Sequence, residues 1–245
     1  MSTWKEKVYG SYVSSGQAGE PGGSADELLH VRGGYLKSVI ARHFPQDRAS
    51  RILDIGCGYG ALLYFLQQMG YRNAQGVDGS AEQVALAQRL GIAGVQLGDA
   101  MDFLRHCASA SADAISVFDV LEHLTRQEAF DLIAEIHRVL VPGGLCIGHV
   151  PNAEGIFGSR IRYADLTHEQ AFTPKSITQM FRALQFRNVR CFEEKPVVHG
   201  GRSAVRRLLW EAATLPFRVL LLAETGAGGQ ILSQNLLFTA HRPPP

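Results

Sequence analysis

The chain has 245 residues, 46% of them hydrophobic, enough for one large domain with a buried core. Its 24 Lys and Arg against 23 Asp and Glu leave a net charge of +1, so composition gives no general pull toward nucleic acid or an anionic membrane. The four cysteines, Cys57, Cys107, Cys146 and Cys191, form no CxxC pair, which argues against a zinc knuckle or a disulfide framework and for reduced thiols.

The opening MSTWKEKVYG lacks the apolar run of a secretory leader, and the expected location is cytoplasmic. Residues 10–24 are rich in Gly and Ser and read as a lead-in. Ser24-Ala25-Asp26-Glu27 is a capping-box pattern followed by Leu28, Leu29, Leu36, Val39 and Ile40, which predicts one or two helices before Pro45. Short apolar runs then predict strands at 51–55, 74–77, 94–97, 114–118 and 145–150. Between them, helices are expected over 60–69, from Ser80 to near Gly91, and from Thr125 through Leu140, the last stopped by Pro142-Gly143-Gly144. Thr173-Pro174 starts another helix, with Thr as cap and Pro in the first turn. Runs at 188–192 and 231–240 complete seven candidate strands.

This alternation predicts a Rossmann-like α/β fold, a mostly parallel seven-stranded sheet with helices on both faces. Ligands of such sheets bind where loops leave the carboxyl ends of the strands, at the switch point. The expected layout is a single domain over 1–245. It comprises an N-terminal helical cap over about 1–48, a cofactor-binding core over about 49–150, and acceptor-side insertions at about 151–173 and 196–229.

The loop after the first strand is Asp54-Ile55-Gly56-Cys57-Gly58-Tyr59-Gly60, where glycines let the backbone turn and approach a ligand closely. Gly56, Gly58 and Ala61 also satisfy the G-x-G-x-x-A dinucleotide pattern. Asp78, with Gly79 after it, ends the second strand, where a carboxylate accepts from ribose hydroxyls. Adenosine is common to NAD and S-adenosylmethionine, so Asp78 does not separate them. Asp54 could hold the ammonium of a bound amino acid, or instead hold loop amides. Asp99, in Gly98-Asp99-Ala100, could accept from an adenine amino group or cap the helix after it.

The ordered motifs ILDIGCGYG, GVDGS, GDA, FDVLEH and LVPGG resemble those of class I S-adenosylmethionine-dependent methyltransferases. The resemblance implies that Gly56, Cys57 and Gly58 lie against the methionine part, with Asp54 on its ammonium. Asp78 and Gly79 take the ribose, Asp99 and Ala100 the adenine, and Phe118 and Asp119 line the entrance to the methyl group. Arg32, in LLHVRGGYL, resembles an arginine placed on the methionine carboxylate, with a solvated surface residue as the alternative; Tyr12 would close over the cofactor. The implied products are a methylated acceptor and S-adenosylhomocysteine.

Methyl transfer to a hydroxyl needs the acceptor held against the donor and a proton removed. His168, in the 151–173 segment, is the candidate base, oriented by Asp165 or Glu169; a loop-stitching role is the alternative. His123 follows the fourth strand, as a catalytic neighbour or a packing residue, and His149 reads as a buried, satisfied histidine. Asn152, Arg160, Arg162 and Tyr163 are candidate acceptor ligands, the arginines for an anionic group. No clustered His and carboxylate set demands a metal, although Asp119, Asp165 and His168 could converge.

KVYGSYVSSGQAG, IRYADLTHEQAFTPKSI, LLLAETG and ILSQNLLFTA resemble methyltransferases encoded with bacterial capsule and O-antigen genes, which implies a sugar, an activated sugar or a small phosphorylated glycan precursor as acceptor. A ubiquinone-pathway-like O-methyltransferase is the alternative; an NAD-dependent oxidoreductase and a non-catalytic cofactor-binding protein are the readings from other classes. Nucleic acid is not an expected partner. Residues 203–223 are apolar with intermittent arginines, and Pro216 should break them into two helical pieces. They could pack on the site, make a homodimer contact, or lie peripherally on a membrane.

Overall fold

The computed structural model describes residues 4–9 and 25–244; Tyr12 lies outside these. In chain order the elements are α1 (Trp4–Tyr9), α2 (Ala25–His43), β1 (Arg51–Ile55), α3 (Ala61–Gln68), β2 (Asn73–Asp78), α4 (Ala81–Arg89), β3 (Val95–Leu97) and α5 (Ala100–His106). There follow β4 (Ala112–Phe118), a 3-10 turn (Leu121–His123), α6 (Arg126–Val139), β5 (Leu140–Pro151), α7 (Gly158–Arg162), α8 (Pro174–Ala183), β6 (Arg187–Glu193), α9 (Gly201–Thr225) and β7 (Asn235–His241).

The strands form one sheet in the order β3-β2-β1-β4-β5-β7-β6. Pairings from β3 through β5 are parallel, and β7 runs antiparallel to both β5 and β6. This is the seven-stranded class I methyltransferase fold expected from the sequence. The order reverses between β1 and β4, so the crevice for a ligand opens at their carboxyl ends.

Local chemistry fixes the helix starts. Ser80 caps α4 by accepting from the Gln83 amide, and reciprocal capping boxes start α6 at Thr125 and Glu128 and α8 at Thr173 and Ser176. α6 turns Leu132, Ile133, Ile136 and Val139 inward, at the spacing of one helix face. One core cluster joins these to Ile115, Val117, Phe181 and Phe238; a second, on the other face, joins Ile40 of α2 and Leu63 and Leu66 of α3 to Ile52 and Ile147.

Three expectations differ from the structure. Pro142-Gly143-Gly144 does not separate α6 from β5: β5 begins at Leu140, and Gly143, at φ +82°, sits in an irregularity where the register against β4 shifts. β7 begins at Asn235 rather than 231, because the preceding backbone is bonded elsewhere. The Ile231 and Ser233 carbonyls accept from the Asn152 amide, and the Leu232 N–H donates to Glu193. α9 runs through Pro216 unbroken. Ties on both sides hold it to one course: Glu211 to Lys195 before the proline, and Arg218 to Glu193 and the Gln230 carbonyl after it. An interior proline removes one helix hydrogen bond and costs about 3 kcal/mol, so the helix carries that cost between these ties.

Candidate functional site

The turn after β1 is built for close approach. Gly56 (φ +68°) and Gly58 (φ +55°) lie in the left-handed region, and a Cβ on Gly56 would sit 2.4 Å from a Val120 methyl. The N–H groups of Gly56 and Cys57 both donate to the Val77 carbonyl. Asp78 clamps the same turn, accepting from the Gly58 N–H at 2.8 Å through one oxygen and from the Ser80 N–H at 2.8 Å through the other. Burial raises its pKa against those hydrogen bonds.

Asp54 is only 2% exposed and accepts from the Ser116 hydroxyl at 2.6 Å rather than from loop amides. Burial pushes its carboxyl up to about 7 against that hydrogen bond, and the nearby Asp78 charge adds to the rise. At the end of β3, Asp99 caps α5 by accepting from the Asp102 N–H at 2.9 Å, leaving its second oxygen for other partners. Leu97, two residues before it, is 58% exposed.

Asp119 ends β4 in a left-handed conformation (φ +57°), tolerated by a short polar side chain. Its carboxylate bonds His149 Nδ1 through one oxygen and accepts from Arg32 at 3.2 Å through the other. His149 Nε2 meets Glu194 at 2.9 Å, and the Tyr35 hydroxyl donates to the other Glu194 oxygen. His149 is buried, and although desolvation lowers its pKa, the two carboxylates hold it well above the ordinary value. Asp119 is held well below the usual carboxylate range: desolvation raises it, but His149 and Arg32 win. His149 thus joins the ends of β4, β5 and β6, with Phe118 beside it at 6.1 Å between ring centroids.

Glu122, His123 and His168 form a neighbouring cluster, each bringing one ligand-capable atom within 4.8 Å of the others. His123 and His168 stack edge to face at 4.7 Å. His168 Nδ1 lies 3.1 Å from the Ile161 carbonyl. A carbonyl only accepts, so Nδ1 carries the proton there and Nε2 is the basic nitrogen. Asp165 does not orient His168: its carboxylate accepts from the Thr167 N–H and hydroxyl, and that hydroxyl meets His123 Nδ1 at 2.7 Å. The short Asx turn over 165–167 captures the carboxylate before it can reach residue 168. The Asp119, Asp165 and His168 convergence considered from sequence is therefore replaced by Glu122, His123 and His168. Glu122 is 1% exposed, its Oε2 has no hydrogen-bond partner, and burial followed by the Asp119 charge raises its pKa strongly.

The remaining acceptor-side residues divide. Asn152 is fully buried and its side chain is committed to the backbone of Ile231, Ser233 and Glu154, so it is a strut rather than an acceptor ligand. Arg162 donates to the Glu169 carbonyl at 2.8 Å and covers the ring of Tyr163, itself 77% exposed; Arg160 is exposed.

Residues 28–190 match the family described as methyltransferase domain. The chain belongs to the S-adenosylmethionine-dependent methyltransferases. Among curated relatives it is 33% identical over 128 residues to the ubiquinone biosynthesis O-methyltransferase of Chelativorans sp. (strain BNC1), 47% of this chain and 48% of that protein. To the protein of the same name from Azorhizobium caulinodans it is 38% identical over 99 residues, 37% of each. The chain thus spans half or less of the length of these two relatives. A solved methyltransferase from Archaeoglobus fulgidus superposes with a TM-score of 0.66 at 19% identity, over 96% of this chain and 99% of that one.

The site of this methyltransferase fits its donor on structural grounds. A turn with left-handed backbone at Gly56 and Gly58, open to within 3.8 Å of Gln83 at Gly58, follows a strand carrying a buried, hard-to-ionise carboxyl at Asp54, which an ammonium would convert to a carboxylate. Tyr35 and Glu194 lie outside the five ordered motifs between Arg51 and Val150. Only the tertiary fold brings α2 and the end of β6 to His149. Glu122 was hidden inside the family motif, where its neighbours drew attention first.

Proposed function

We propose that the protein transfers a methyl group from S-adenosylmethionine to the hydroxyl oxygen of a small acceptor seated between the end of β4 and the 151–173 segment. Asp54, Gly56, Gly58, Asp78, Asp99 and Ala100 would hold the donor, which when bound supplies an electrophilic methyl on a sulfonium. The observation that carries the reading is the basic Nε2 of His168, set by its Ile161 hydrogen bond within the cluster that follows β4. This nitrogen would take the proton of the acceptor hydroxyl as its oxygen is methylated. Asp119, fixed by His149 and Arg32, lines the approach.

The relatives are named for ubiquinone biosynthesis, which supports a ubiquinone-pathway-like acceptor over the surface-glycan acceptor suggested by segments outside the core. S-adenosylhomocysteine release should therefore be highest with hydroxylated quinone precursors in a screen that includes nucleotide sugars, sugar phosphates and amidated phosphate compounds. Highest release with a nucleotide sugar would restore the glycan reading. In the His168→Ala variant, S-adenosylhomocysteine binding should persist while turnover falls roughly 100-fold or more.

A second reading is favoured by the unpartnered Glu122 oxygen. Glu122, His123 and His168 offer two imidazoles and a carboxylate, a donor set suited to a divalent cation that would polarise the acceptor hydroxyl. Dialysis against a chelator separates the two. If His168 is the base, turnover survives; if the cluster holds a cation, turnover is lost and returns with Mn(II) or Co(II), the latter also giving a visible absorption band.

A further inference from the structure

α9 is an amphipathic helix mounted with its polar side inward. Its buried residues are Ser203 and Thr214. On the same side Arg207 bonds Glu211 at 2.9 Å, Glu211 bonds Lys195 at 2.9 Å, and Arg218 bonds both oxygens of Glu193 at 2.7 Å. The opposite side is apolar and faces outward: Leu208, Leu209, Leu215, Val219, Leu220 and Leu222 are each 51–70% exposed. Eight of the fifteen large exposed apolar side chains among the described residues lie on this one helix, so the exposure is a patch rather than scatter.

The patch has a period. Leu208, Leu215 and Leu222 recur every seven residues, as do Val205, Ala212 and Val219. A seven-residue repeat is the spacing of a helix-on-helix seam. The exposed charges on α9 are Arg202 and Arg206 in its first turns and Glu224 in its last. Two copies laid antiparallel place the arginines of each against the Glu224 of the other at both ends. Val205 then faces Ala223, Leu209 faces Val219, and Ala212 faces Pro216, the small residues allowing close approach at the middle. A lipid surface would prefer basic residues displayed along the whole patch, yet the exposed Arg202 and Arg206 are confined to the first turns and Glu224 is displayed in the last.

We infer that the outer face of α9 is the interface of a two-fold homodimer, formed with α9 of a second copy running antiparallel. A two-fold axis makes the contact self-complementary and closed, so it ends at the dimer.

Sedimentation equilibrium of the full chain should give twice the 26.7 kDa chain mass. The Leu208→Glu, Leu215→Glu, Leu222→Glu variant should give the single-chain mass while keeping its circular dichroism spectrum and S-adenosylhomocysteine binding, because these side chains are already outside the core. Glu224→Arg should weaken the dimer roughly tenfold, and adding Arg202→Glu and Arg206→Glu should restore it. A wild-type chain that is monomeric throughout, or a triple variant that remains dimeric, overturns the interface. Failure of the charge exchange to restore affinity overturns the antiparallel arrangement. Co-sedimentation of a monomeric wild type with phosphatidylserine vesicles would assign the face to lipid instead.

Discussion

A carboxyl at the end of β1, buried and bonded to a serine hydroxyl, resists ionisation, and that resistance gives Asp54 a measurable signature. Its folded pKa of about 7 lies above the ordinary 3.8, so the folded state binds more protons and stability falls as pH rises between those values. The loss is on the order of 4 kcal/mol at most. Asp54→Asn should remove the decline and leave the ligand-free protein more stable than wild type at pH 8, as read by urea unfolding. Donor binding runs the other way. An ammonium needs the carboxylate, so S-adenosylhomocysteine affinity measured by calorimetry should rise about tenfold per pH unit up to about 7 in wild type and stay flat in Asp54→Asn. His149 is the counterpart on the cationic side. Its folded pKa is raised, so its contribution is fully present below about 6.5 and is lost as pH climbs through the folded value. His149→Gln leaves Asp119 and Glu194 facing a neutral amide and should cost about 3–5 kcal/mol at pH 7 by chemical denaturation.

Elements obey local chemistry where nothing competes with it. The helix starts at Ser80, Thr125 and Thr173 were legible because a side chain and an amide three residues apart need no distant partner. The strand-end positions of Asp54, Asp78, Asp99 and Asp119 were legible for a related reason: parallel topology carries residues after each strand to one edge. Asn152, Asp165 and Pro216 were misread because distant or neighbouring backbone decided them. Asn152 is taken by the segment before β7, Asp165 by its own turn, and the helix continues through the proline between ties to β6 and the residues after it. Restoring an N–H in a helix already held on both sides should stabilise it. Pro216→Ala is expected to gain about 2 kcal/mol, the interior-proline cost less the entropy returned to the unfolded chain. Thermal unfolding should shift upward by roughly 4–8 °C. A fall instead would mean that the helix bends at Pro216 in a way its contacts require.

At the scale of the molecule, the proposed donor site would be a seam across four strands. Asp54 belongs to β1, Asp78 to β2, Asp99 follows β3 and Asp119 follows β4, so a ligand spanning them ties half of the sheet at its carboxyl edge. Such a ligand binds only the folded chain and stabilises it by mass action, about 2.7 kcal/mol at one hundred times its dissociation constant. For a chain of this length that corresponds to a rise in Tm of roughly 5–10 °C. S-adenosylhomocysteine should produce that rise, and NAD at equal concentration should not, since it has no ammonium for Asp54. Asp78→Ala should abolish the rise while also loosening the glycine turn, because one carboxylate serves both. Asp78→Asn separates those effects. Its amide oxygen keeps one acceptor for the Gly58 N–H, so the ligand-free Tm should fall less than in Asp78→Ala while the ligand-induced rise still shrinks. An NAD-induced rise equal to that of S-adenosylhomocysteine would return the G-x-G-x-x-A turn to a dinucleotide and remove the basis for placing a methyl donor there.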